Sequence, residues 1–174
     1  MRLRPAAALA WVALAVACVA AFGVSLEAVV AILGCAVIVA VTVTDLERRI
    51  VPNRIVLPAL AVALVVQTLR DPGLEWILAS LGAGGFFYVM ALAYPAGLGM
   101  GDVKLAAFLG AWLGRDVAVA LFVGSLLGAI YALLVVARRG REGRKATLPY
   151  VPALAAGAVA GLFFGEGLLD AWLG

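Results

Sequence analysis

Seven long apolar runs, nearly free of charge inside, leave this chain few ways to fold. They cover Pro5–Phe22, Val24–Thr44, Ile55–Leu69, Trp76–Tyr94, Val103–Leu113, Val117–Ala137, and Leu148 to about Gly165 or beyond. A bilayer's hydrocarbon core is about 30 Å thick and a helix rises about 1.5 Å per residue, so a span with its short loop takes about 25 residues. The 174 residues therefore hold about seven helices and no separate soluble domain. A water-soluble fold of this size needs a polar surface, whereas here 66% of residues are apolar and 13% charged. The expectation is an all-α polytopic membrane protein with residues 1–174 forming one domain. The third and fifth runs are short for a full crossing, and the fifth decides the topology of everything after it.

Basic residues settle that choice, because short cytoplasmic loops are enriched in Lys and Arg. With seven crossings and a cytoplasmic N-terminus, the inner side holds Arg2, Arg4, Arg48, Arg49, Arg54, Lys104, Arg138, Arg139, Arg141, Arg144 and Lys145. Only Arg70 and Arg115 fall outside. A re-entrant fifth run would give seven inside and six outside. The first split is the stronger, and predicts a plasma (inner) membrane protein with seven transmembrane helices, its N-terminus cytoplasmic and its C-terminus outside. Glu27, Asp71, Glu75, Asp116, Glu166 and Asp170 then share the outer side. Arg2 and Arg4 before an apolar run also fit a secretory signal peptide, whose removal would leave the remaining orientation unchanged. A net charge of +3, scattered among apolar runs, argues against a nucleic-acid partner; the lipid bilayer is the expected one.

The chain has no histidine. Ser-His and Cys-His nucleophiles and imidazole metal sites are therefore excluded. Cys18 and Cys35 stand in apolar runs without C-x-x-C spacing and are expected to pack as small hydrophobes. No metal or cofactor is expected.

Two acids stand apart from the outer group. Asp45 directly follows the uncharged end of the second run, and Asp102 sits between Gly101 and the start of the fifth. In the seven-span topology both lie at cytoplasmic helix ends. A carboxylate at that depth costs several kcal/mol unless it meets water or a partner, so it is a functional candidate by default. Two carboxylates held close share a proton: one acts as general base on a water while the other protonates the scissile carbonyl. Gly99 and Gly101 would let an extended substrate backbone approach Asp102. Each acid also has a plainer reading, Asp102 as a helix cap after glycine and Asp45 as an interfacial stop beside Arg48 and Arg49.

These residues resemble a known family. Gly97-Leu-Gly-Met-Gly-Asp-Val-Lys-Leu105, followed by Ala-Trp-Leu-Gly at 111–114, is similar to the second signature of type IV prepilin peptidases, membrane aspartyl proteases with a G-x-G-D motif. Asp45 with Pro52-Asn53 seven residues on resembles the first signature, and Leu148-Pro-Tyr-Val-Pro152-Ala-Leu-Ala155 resembles the proline-containing motif of the last helix. The resemblance implies a protease that removes the basic leader of prepilin-like precursors at the cytoplasmic face, after a glycine and before an apolar helix. It implies Asp45 and Asp102 as catalytic acids, Gly99 and Gly101 as motif glycines, and Pro52, Asn53 and Lys104 as motif residues near the substrate.

One departure matters. Many bacterial members carry a loop near the N-terminus with paired C-x-x-C motifs and also methylate the new N-terminus. Here the first two runs are separated by almost nothing and those cysteines are missing, so a short-form peptidase without methyltransferase activity is expected. Lys104 is expected to snorkel to the interface rather than steady a carboxylate or substrate carbonyl. The basic stretch Arg138–Lys145 is expected to anchor the topology. The spacings Gly124/Gly128 and Gly157/Gly161 allow close helix packing. Two rival functions are a small ion-coupled transporter and a non-catalytic membrane subunit of a pilus or secretion assembly. The lack of an internal repeat and the placing of both acids at one face disfavour the transporter.

Overall fold

A computed structural model of the chain describes residues 3–94, 97–139 and 149–173. Pro95 and most of the basic stretch, Arg141, Arg144 and Lys145 included, lie outside the described residues. The described residues form seven α-helices: α1 (Leu3–Phe22), α2 (Leu26–Arg48), α3 (Asn53–Arg70), α4 (Glu75–Ala93), α5 (Met100–Leu113), α6 (Val117–Arg139) and α7 (Val151–Leu173). A 3₁₀ turn, Gly114–Asp116, joins α5 to α6, and there is no strand among the described residues.

Local chemistry fixes the helix ends. Ser25 caps α2, its Oγ accepting the N–H of Ala28 at 3.1 Å. At the other end Arg49 takes the left-handed conformation, φ 53°, and its N–H closes on the Asp45 carbonyl. The third helix runs from Asn53 to Arg70 and reaches 18 residues, longer than its apolar run suggested, because polar residues at both ends join the helix. The last helix begins at Val151, with Pro149 and Tyr150 outside it and Pro152 in its first turn, where a missing N–H costs nothing.

Six helical stretches among the described residues are long and apolar enough to cross a membrane. One of them, Met100–Arg138, runs through α5, the 3₁₀ turn and α6 without a gap. Within it, α5 alone has 14 residues, about 21 Å at the α-helical rise, against about 30 Å of hydrocarbon. Gly114, at φ 59°, breaks the stretch, and α6 turns away from α5 to pack on α7.

α5 is the centre of the bundle, held chiefly by α4 and α3. Leu105, Ala106, Leu109 and Ala111 are fully buried along it. Side chains such as Leu9, Val16, Leu69, Leu81 and Leu133 instead face outward, as lipid contact requires. Without a hydrophobic drive between lipid-immersed helices, close packing rests on small residues. A Cβ on Gly110 would fall on the Ala79 carbonyl of α4, and one on Gly157 on the Ala120 carbonyl of α6. Both G-x-x-x-G pairs are used inside the chain, in the α6–α7 contact and against Tyr150. Cys18 and Cys35 are fully buried between α1 and α2, their sulfurs 4.0 Å apart.

The two ends of the bundle differ in charge. The C-terminus of α2 and the N-termini of α3, α5 and α7 meet at one end, which carries Arg48, Arg49, Arg54 and Lys104. At the other, Arg70 pairs with Glu27 at 3.5 Å, and Arg115 lies 3.8 Å from both Glu166 and Asp170. Deeper at that end, the buried Gln67 donates to the Trp112 carbonyl at 2.7 Å and accepts from Arg70 at 2.8 Å.

Candidate active site

Asp45 occupies the last turn of α2 and is 7% exposed. A buried carboxylate needs hydrogen bonds. Its Oδ2 accepts the backbone N–H of Val151, the first residue of α7, at 3.3 Å. Pro149-Tyr150-Val151-Pro152 thus presents a free helix-start N–H to the acid, and the positive end of the α7 dipole faces it. The Thr42 and Thr44 hydroxyls bond back to the Ile38 and Val41 carbonyls, so these two hydroxyls are satisfied within their own helix.

Asp102 is the third residue of α5 and half-buried. Its Oδ2 accepts the N–H of Gly99 at 2.9 Å, so the aspartate does cap the helix, as the plainer reading expected. Asp45 and Asp102 lie at the same end of the bundle, at the C-terminus of α2 and the N-terminus of α5. Each acid is held through Oδ2 by a backbone N–H at a helix start.

The two motif glycines differ. Gly101 packs so closely on Val51 that a Cβ there would lie 2.7 Å from the valine Cβ. A Cβ on Gly99 would meet Asp102 Oδ2 at 3.6 Å, an ordinary contact, and its φ of −94° suits any residue. Pro52 is the N-cap of α3 and Asn53 its first residue. Lys104 Nζ donates to Asn53 Oδ1 at 2.9 Å in an exposed position. Two positions on from Asp102 the helix has turned by about 200°, which directs the ammonium away from the carboxylate.

Tyr150 and the Val151 N–H, which lie in the proline-containing motif but were given no role in the sequence, are neighbours of the site. The Tyr150 hydroxyl lies 3.1 Å from Ser125 Oγ, and the ring packs against Gly128 and, at 6.2 Å, Phe87. Burial pushes the phenol above its ordinary range, so it stays protonated near neutrality. The signal was the P-Y-V-P spacing: Pro152 has no N–H, so in the first turn of α7 the N–H nearest the helix start is that of Val151.

A cavity of about 400 Å³ opens at the opposite end, lined by Glu27, Gln67, Arg70, Trp112 and Asp116 among others, and neither Asp45 nor Asp102 borders it. No group of three or more His, Cys, Asp or Glu among the described residues could hold a metal ion.

The fold and this constellation define a polytopic helical membrane protein with two carboxylates gathered at one end of its bundle. Residues 31–133, which include both aspartates, match the type IV leader peptidase family, and the chain belongs to that family. Its relatives include a prepilin leader peptidase/N-methyltransferase of Bacillus subtilis (strain 168), 35% identical over 176 residues, covering 97% of this chain and 69% of that protein. A protein of the same name from Burkholderia pseudomallei (strain 1026b) is 35% identical over 166 residues, covering 88% of this chain and 52% of its own length. The chain thus spans about half the length of that second relative. No solved structure gives a significant match.

Proposed function

We propose that the chain is an aspartyl endopeptidase that removes leader peptides from type IV prepilin-like precursors, with Asp45 and Asp102 as its two acids. The observation that carries this reading is the gathering of the two signature aspartates at one end of the bundle, each bonded through Oδ2 to a backbone N–H at a helix start. Like charges in such a pair cannot both ionise cheaply, so one carboxyl keeps a proton. The ionised partner takes a proton from water, and the water oxygen attacks the scissile carbonyl carbon while the other acid protonates the carbonyl oxygen. Collapse of the tetrahedral intermediate returns a proton to the leaving nitrogen as the C–N bond breaks. The chemistry requires no metal or cofactor.

The basic end of the bundle is the cytoplasmic one, by the enrichment of Lys and Arg in inner loops. The active site then faces the cytoplasm at the plasma membrane, where basic leaders reside, with α5 and α6 as separate crossings in a seven-span topology. Cleavage follows a glycine, and the precursor's apolar helix stays in the bilayer. The unit acts as a peptidase without methyl transfer: α1 and α2 are joined by three residues, Gly23–Ser25, and both cysteines are buried in helices.

Co-expression with candidate prepilins from the same genome tests this. Wild type should shorten a precursor, while Asp45→Asn and Asp102→Asn, present at normal membrane level, should not. Cleavage by both variants would refute the aspartyl mechanism, and a methylated N-terminus on the product of the purified protein, seen by mass spectrometry, would refute the peptidase-only reading.

A further inference from the structure

The helices that carry the two aspartates barely approach each other. α5 is held by α4 and α3, and α2 lies mainly against α1, α7 and the start of the chain's third helix. At the far end the Trp112 ring reaches α2 at Gly34, but that contact lies three turns from Asp102. Near the acids, the ties run through the connection that follows Asp45. Val51 packs into the space left by Gly101, and Asn53 accepts the hydrogen bond of Lys104 at 2.9 Å. Asn53 opens α3 eight positions after Asp45, and Lys104 follows Asp102 by two.

We propose that Lys104 is a positioning residue: by holding Asn53 it fixes the first turn of α5 against the α2–α3 connection, and so sets the separation of Asp45 and Asp102. The inference rests on the aspartyl reading above. An ammonium donating to an amide oxygen makes a charge-assisted bond, and Lys104 can span this gap because its stem is long. The bond is exposed, so its loss need not unfold the bundle. A displacement of catalytic groups by about 1 Å is enough to cost up to about a hundredfold in rate.

The test compares Lys104→Met, Asn53→Leu and the double variant in purified form, cleaving one prepilin, with Asp45→Asn alongside. Each single variant should lower kcat between about tenfold and a hundredfold with KM nearly unchanged. The double variant should be no slower than the worse single, because both remove the same bond. Lys104→Arg and Asn53→Asp, which keep a donor and an acceptor, should retain most activity. Moving the carboxylates apart weakens their mutual charge, so the upper limb of the pH profile should shift to lower pH in Asn53→Leu, which breaks the bond and keeps the ammonium's charge, a change that a stabilising role elsewhere would not cause. Wild-type kcat in Lys104→Met, or losses that multiply in the double variant, would overturn the proposal. If Lys104→Met fails to accumulate, Asn53→Leu reads the same bond from its acceptor. Cleavage by Asp45→Asn would bring down the aspartyl reading itself, whereas an inactive Asp45→Asn beside a fully active Lys104→Met would remove only the tie.

Discussion

The backbone N–H of Val151 donates to Oδ2 of Asp45 across 3.3 Å, joining the start of the last helix to the end of the second. This contact gives the P-Y-V-P segment a chemical task, because it orients a carboxylate that is otherwise 7% exposed. Replacing Val151 by proline removes the donor at a position where a helix accepts proline. We expect Val151→Pro to lower kcat about tenfold or more. Val151→Ala keeps the N–H and loses only buried methyl groups, at about 2 kcal/mol of stability, and should cleave nearly as wild type. Cleavage kinetics and thermal unfolding of the two variants side by side check this.

Gly101 and Gly99 should separate in the same way. A Cβ at 101 would stand 2.7 Å from Val51 Cβ, so Gly101→Ala must displace the α2–α3 connection or the start of α5. Overpacking of this kind costs about 1–3 kcal/mol, and Val51→Ala in the same chain should recover part of it. Gly99→Ala has room, and its melting temperature should stay near wild type. A Gly99→Ala protein that is stable but slow would place the demand for glycine on the approach of substrate; one that unfolds would contradict the geometry.

Tyr150 is expected to serve packing more than chemistry. Tyr150→Phe removes the bond to Ser125, worth about 1 kcal/mol, and should leave cleavage largely intact. Tyr150→Ala empties the space beside Phe87 and Gly128 and should cost about 3–5 kcal/mol. The phenol's acidity is weaker in the fold than in the unfolded chain, so the unfolded state loses its proton first as pH rises. Wild-type stability should accordingly fall relative to Tyr150→Phe above about pH 10, and be insensitive to this group below it. Thermal melts of both proteins across that range read the difference.

At the opposite end, Gln67→Leu should damage stability and spare the chemistry. It strips the Trp112 carbonyl of its donor and Arg70 of its acceptor in a buried setting, a loss of about 1–3 kcal/mol. The variant should unfold at lower temperature yet, at a temperature where it is folded, cleave with an unchanged kcat. A selective fall in kcat would mean that the two ends of the bundle are coupled.

Much of this was legible in the chain. Apolar runs long enough for a bilayer gave the helices within a few residues, and the G-x-G-D and Pro-Asn spacings drew attention to Asp45 and Asp102. Helix length and amphiphilicity are local properties, so a linear pattern records them. Contacts over long separations leave no such record. That Lys104 turns to Asn53, that the Val151 N–H reaches Asp45, and that the glycine pairs seat α6 on α7 rather than on a second chain were decided by tertiary packing. The physical reason lies in geometry: the sequence determined which side chains sit at helix ends, but only the crossing of helices brought the end of α2 to the start of α7, and the start of α3 to that of α5, within hydrogen-bonding reach.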